Sequence, residues 1–247
     1  MPVLCLALLS EAAPPAPPES PATTEFFIID RFSGEVGRDG LPEGWKPLTF
    51  RKIERHTDYT VVEEEGGEGE RFLKAESRGS ASGVYKEVEI DLGEYPVLRW
   101  RWKVEGVVKQ GDAARKEGDD YAARVYVTFA YDPEATPFLE RAKYKLLKTL
   151  YGSAPANAIN YIWANKLKKG EAVPNPYTEK AMMVAVESGE GLAGRWVSEE
   201  RNVYEDYKAL FHFHAEPPVV TGIAVMTDTD NTGGSAVAYY DDLVFGR

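Results

Sequence analysis

The stretch "PVLRWRWKVEG", residues 96–106, does most to limit what this chain can fold into. Leu98, Trp100, Trp102 and Val104 alternate with Arg99, Arg101 and Lys103. Successive strand side chains point to opposite faces, so this period of two fits a strand with one packed face and one polar face. It does not fit a helix, whose apolar positions recur every three or four residues.

The alternation returns along the chain. "DYTVVEEEGGEGERFLKAES" reads as strand, turn, strand, the run from Glu63 to Glu70 marking a solvated hairpin turn. "ASGVYKEVEIDL" supplies another strand, and "GDDYAARVYVTFAYD" places Tyr121, Ala123, Val125, Val127 and Phe129 inward with Ala122, Arg124, Tyr126 and Thr128 opposite. "NAINYIWAN", "KAMMVAVESG", "VVTGIAVMTD" and "SAVAYYDDLVFG" continue the pattern. Two segments change period. Leu139, Ala142, Leu146 and Leu150 recur at helical spacing after a proline, and Asn202 with Glu205 forms a capping box ahead of "VYEDYKALF". Many strands with few helical crossovers predict an all-β fold, a jelly-roll or galactose-binding-like β-sandwich decorated with two short helices.

Residues 1–12 read as a signal segment, 13–25 as a Pro/Ala-rich spacer, and 26–247 as a single β-sandwich domain. The expectation is a secreted or periplasmic protein. No later run approaches the roughly 20 apolar residues of a bilayer-spanning helix, so no integral membrane segment is expected. The formal net charge of -11 argues against nucleic acid as a partner. Cys5 is the single cysteine, which excludes an internal disulfide and a cysteine zinc cluster.

Taken in order, "WRWKV", "GDDYAARVYVTF", "NYIWAN", "RNVYEDYKALF" and "GIAVMTDTDNTGGSAVAYYDDLVF" resemble the bacterial family called domain of unknown function 3047. The resemblance runs from Phe26 to Arg247 and implies export, since members are mostly predicted to be exported. It brings no established reaction or catalytic set with it. "FHFHAEPP" departs from the family pattern, and His212 and His214 lack a third metal ligand at readable spacing.

Two groups of candidate site residues remain. Arg99, Arg101 and Lys103 project from one strand face over about 13 Å, and Arg124 and Tyr126 extend the patch where their strand pairs with it. Neighbouring like charges need acidic partners or an anionic ligand. Guanidinium forks and aromatic rings suit a carbohydrate-like, acidic ligand, while Asp119, Asp120, Glu205 and Asp206 are the candidate internal partners. The second group is the acidic loop. Asp228, Asp230 and Asn231 offer oxygens suited to a structural calcium ion, with Asp241 as a remote ligand, or they form a polar hairpin turn. Tyr239 stands where an EF-hand needs glutamate. Asp241 shares the inward face with Leu243 and Phe245 if the strand is regular. Trp163 and Trp196 stay open between stacking platform and core. The leading reading is a binding module without catalysis; a glycan-active hydrolase or lyase and a structural envelope protein are the alternatives.

Overall fold

The alternating segments pair into two sheets that bury their apolar faces against each other. The computed structural model describes residues 26–64, 69–131, 157–212 and 216–247. The helix expected after Pro137, the signal and spacer segments, and His214 lie outside them. Strands β1 (Phe26–Asp30), β2 (Trp45–Leu48), β3 (Asp58–Glu63), β4 (Arg71–Arg78), β5 (Ala81–Ile90) and β6 (Val97–Val104) form the first half of the chain. Then come β7 (Arg124–Phe129), β8 (Ala158–Ala164), β9 (Ala172–Asn175), β10 (Thr178–Ser188) and β11 (Val197–Asn202). Helix α1 (Val203–Leu210), β12 (Val220–Asp228) and β13 (Ser235–Gly246) complete it. The six-stranded sheet runs β11-β6-β13-β4-β3, with β1 beside the far end of β13; the seven-stranded sheet runs β2-β5-β12-β7-β8-β10-β9. Pairing is antiparallel except between β8 and β10. The fold is the expected β-sandwich. Among the described residues no helix is long and apolar enough to cross a membrane.

The predicted inward face of β6 is the centre of the core: Leu98, Trp102 and Val104 are 0% exposed and Trp100 2%. Trp100 stacks on Tyr161 of β8 at 5.4 Å, and Trp102 packs against Trp163 at 5.8 Å. Large rings meeting across the two sheets dominate the burial that holds them together. Trp163 is therefore core. Helix α1 is capped as read, Asn202 Oδ1 accepting the Glu205 N–H at 3.0 Å. Tyr161 OH donates to Asp206 Oδ2 of that helix at 2.7 Å, which ties it to β8.

Two expectations about strand faces need correction. Strand β7 starts only at Arg124, and Tyr121 turns away from the main core into a smaller cluster with Ala113, Ile162, Ala164, Met183 and Ala185. Its N–H is held by Asp228 Oδ1 at 3.3 Å, which takes Tyr121 out of the strand ladder. In β13 the register against β6 slips between Asp241, opposite Arg101, and Val244, opposite Arg99. Asp242 sits in the left-handed region at φ 50°, the mark of a β-bulge. The extra residue reverses the parity of the strand. Leu243 and Phe245 face the core, and Asp241 instead shares the outer face with Arg101.

Candidate functional site

The outer face of the six-stranded sheet carries the cationic strip. Arg99 Nε donates to Glu200 Oε2 on β11 at 2.6 Å. Arg101 donates to Asp241 through Nε at 3.1 Å and through Nη2, and it also pairs with Glu70 and Asp242. Lys103 has aromatic neighbours: its Nζ lies 4.3 Å from the Tyr239 ring centroid and 5.5 Å from that of Trp196. The Arg101 guanidinium lies 4.9 Å from the Trp196 ring. Phe72 closes this aromatic patch, edge-on to both Trp196 and Tyr239.

The two arginines are thus compensated, but by acids other than those the sequence suggested; of the suggested acids, Asp119 pairs instead with Arg124. Glu70, Glu200, Asp241 and Asp242 do the work expected of Asp119, Asp120, Glu205 and Asp206, because β11 and β13 are the strands on either side of β6. Burial pushes the Asp241 carboxyl up to about 6, with Arg101 pulling the other way. Beside the pairs lies a shallow recess of about 270 Å³, bordered by Arg99, Arg101, Ser198, Glu200 and Asp242. Arg99 Nη1 is buried beside Gly246 without a hydrogen-bond partner. Gly246 makes room for it, since a Cβ at that position would stand 2.9 Å from Arg99 Nη1.

Arg124 and Tyr126 do not extend this strip. Strand β7 belongs to the seven-stranded sheet, between β12 and β8, so no pairing links it to β6. Arg124 is 2% exposed and turned to the outer face of that sheet, where it grips Asp228 through Nε (2.8 Å) and Nη2, and Asp119 through Nη1 (3.4 Å). Its Nη1 also donates to Tyr126 OH at 3.2 Å. A buried guanidinium is stable only when paired in this way.

The acidic loop follows directly from the Arg124–Asp228 pair. Carboxylate oxygens of Asp120, Asp228 and Asp230 all lie within 4.8 Å of one another. Asp120 also fastens the loop, Oδ1 accepting the Asn231 N–H at 3.2 Å and Oδ2 the Thr232 N–H at 2.6 Å. Asn231 itself points its amide elsewhere, to Tyr177 OH at 3.1 Å. Asp241 is not part of this group: it lies on the other sheet, bound to Arg101. Burial pushes Asp228 up to about 8 against the pull of Arg124, and it raises Asp230 and Asp119 as well. Asp228 Oδ1 accepts from both the Tyr121 N–H and Arg124 Nε, whereas Asp228 Oδ2 and the two Asp120 oxygens keep a second lone pair, and Thr232 Oγ1 on the same loop is buried without a partner. Crowded carboxylates with hard-oxygen neighbours fit a hard divalent cation.

Several roles in these sites were not read from the sequence, among them those of Asp120, Tyr239, Glu70, Ser198 and Glu200. Asp120 lies 112 positions from the Thr232 N–H it accepts, and only the pairing of strands brings them together. Tyr239 shares the face of Lys103 through their direct register across β13 and β6, a pairing that alternation alone does not give. Glu70 has no local signal, because it reaches Arg101 from the turn before β4.

No curated protein sequence matches this chain. Among solved structures, the chain is similar to the CBM22-1 xylan-binding domain of Paenibacillus barcinonensis Xyn10C, at 10% identity and TM-score 0.38 over 92% of this chain and 97% of that one. It is also similar to the xyloglucanase domain of NopAA, a type three effector from Sinorhizobium fredii, solved with cellobiose, at 8% identity and TM-score 0.42 over 93% and 100% of the two chains. Likeness at this level leaves the chemistry to be read from the residues above. A family model described as protein of unknown function, DUF3047, matches residues 43–244, and the chain belongs to that family.

Proposed function

We propose that this protein is an exported binding module for a carbohydrate-like ligand, without chemistry of its own, and that it binds on the outer face of the six-stranded sheet. The observation that carries the reading is the recess between β6, β11 and β13. Arg99 and Arg101 line it with guanidinium groups, Glu200 and Asp242 with carboxylates and Ser198 with a hydroxyl, while Trp196 and Tyr239 stand along the same face beside Lys103. Donors and acceptors interleaved on rigid strands suit a polyhydroxylated ligand, and rings at the side suit its apolar faces. Since the arginines already have carboxylate partners, the arrangement favours an uncharged saccharide over the acidic one that the bare strip suggested.

A glycan-array screen followed by titration of the best oligosaccharide tests this. Arg99→Ala removes a two-thirds-buried donor whose partner, Glu200, is exposed, so the fold tolerates it. Affinity is expected to fall about tenfold, the cost of a charge-assisted hydrogen bond. Unchanged affinity would remove the recess from the site.

The acidic loop belongs to the same reading as a structural calcium site held by Asp120, Asp228 and Asp230. What supports it is the excess of buried carboxylate over the single guanidinium of Arg124. A calcium ion binding the folded state alone raises the unfolding temperature by mass action. Millimolar calcium is expected to raise it relative to chelator, and Asp230→Asn to abolish the difference. Identical melting curves with calcium and with chelator would return the loop to a polar turn.

A further inference from the structure

Tyr177 stands out among the large side chains on the surface. At 56% exposure it is the most solvent-accessible of the exposed large hydrophobics among the described residues, yet it is fixed at both ends. Its N–H donates to Asn175 Oδ1 at 3.0 Å within the turn between β9 and β10. Its hydroxyl donates to the Lys116 carbonyl at 3.2 Å and accepts from Asn231 Nδ2 at 3.1 Å. Lys116 Nζ lies 5.3 Å from the ring centroid. Three separate loops therefore hold one exposed ring in one orientation. The other exposed apolar side chains, Phe26, Ile28, Val36, Phe50 and Val219, have no polar tip to be held by.

An exposed aromatic ring is ordinarily free to rotate, and ordering it on binding costs affinity. Here the ordering is done in advance. The surroundings are polar, with Asn231 and Lys116 exposed and Asp230 close by on the acidic loop, so the surface lacks the apolar breadth of a protein-docking patch. A rigid ring edged by an amide and an ammonium offers a stacking face for a sugar ring and hydrogen-bonding groups for its hydroxyls.

We infer that Tyr177, flanked by Asn231 and Lys116, forms a second saccharide subsite at the loop end of the sandwich, stacking on the apolar face of an uncharged sugar. The inference rests on the carbohydrate-binding reading above but not on the sheet-face recess. It also couples binding to the acidic loop: the Asn231 N–H is held by Asp120 at 3.2 Å while its side chain holds Tyr177, so the loop conformation sets the ring.

The test is calorimetric titration of the full chain with cellotetraose and xylotetraose, comparing wild type with Tyr177→Ala, Tyr177→Phe and Arg99→Ala. Tyr177→Ala is expected to weaken binding tenfold or more while melting close to Tyr177→Phe, which loses the same two hydroxyl hydrogen bonds. Tyr177→Phe keeps the ring and loses both hydroxyl tethers, and its affinity is expected to fall between those of wild type and Tyr177→Ala. Wild-type affinity in Tyr177→Ala, with Arg99→Ala weakened, overturns this subsite and leaves the sheet-face reading standing. The reverse pattern supports the subsite and moves the binding site to the loop end. Absence of binding by wild type to either oligosaccharide overturns both.

Discussion

Arg124 shows how far a single buried charge constrains its neighbourhood. The guanidinium is 2% exposed and bound to Asp228 and Asp119, and the hydroxyl it holds on Tyr126 is the next link outward. Breaking a buried pair from one side leaves a charge that neither water nor protein compensates, at a cost of about 3–5 kcal/mol. Arg124→Met is expected to destabilise by that amount at pH 9, where Asp228 is charged, in urea unfolding. The sign of the pH dependence follows from Asp228, whose carboxyl burial raises to about 8 from an ordinary value of 3.8. A carboxyl raised on folding contributes stability that is complete below its unfolded value and is lost as pH rises through the folded value. The Arg124→Met penalty should therefore shrink at pH 5.5, where Asp228 holds its proton. An equal penalty at both pH values would mean that Asp228 is not the group left exposed to the loss.

At the level of elements, the bulge in β13 decides which aspartate is buried where. Asp242 holds φ 50°, a conformation that short polar residues tolerate and β-branched ones do not. Asp242→Gly is expected to keep the fold. Asp242→Val should cost about 1–2 kcal/mol for the left-handed residue, in addition to its ion pairs with Arg101 and Arg31, and thermal unfolding measures the difference. Deleting Asp242 removes the extra residue and leaves Tyr240, Leu243 and Phe245 inward in regular alternation with Asp241 still outward, so that variant is expected to keep a cooperative unfolding transition and to lose only the Asp242 ion pairs. The contrast marks what the sequence revealed. The inward set Leu98, Trp100, Trp102 and Val104 and the Asn202 cap were legible because each depends on neighbours within a few residues. The separation of Arg124 from Arg101, the bulge and the approach of Asp120 to the acidic loop were not. They depend on which strands pair and on a shift in register, and alternation alone is silent on both.

For the whole molecule, edge strand β11 of the six-stranded sheet carries a second pH-sensitive carboxyl, Glu199. Glu199 lies on the core-facing side of edge strand β11, opposite Trp100, and its Oε1 accepts the Trp102 Nε1–H at 3.3 Å. Across the edge, Glu187 of β10 is bound to Lys169 Nζ at 2.7 Å. Burial pushes Glu199 up to about 7; Lys169 and Arg201 pull it down, and Glu187 pushes it up. Because its folded value lies above the ordinary 4.5, the proton on Glu199 stabilises the fold fully below that ordinary value, and the gain is lost as pH rises through about 7. Glu199→Gln keeps an oxygen for the Trp102 indole and carries no charge at any pH. It isolates this contribution from that of Asp228, which both proteins share. The variant should melt close to wild type at pH 5 and above it at pH 8, the gap opening between those values. The partial exposure of the carboxyl keeps the gap smaller than the full shift implies. Parallel melting curves across pH 5 to 8 for the two proteins would show that the edge of the sandwich does not sense the proton on Glu199.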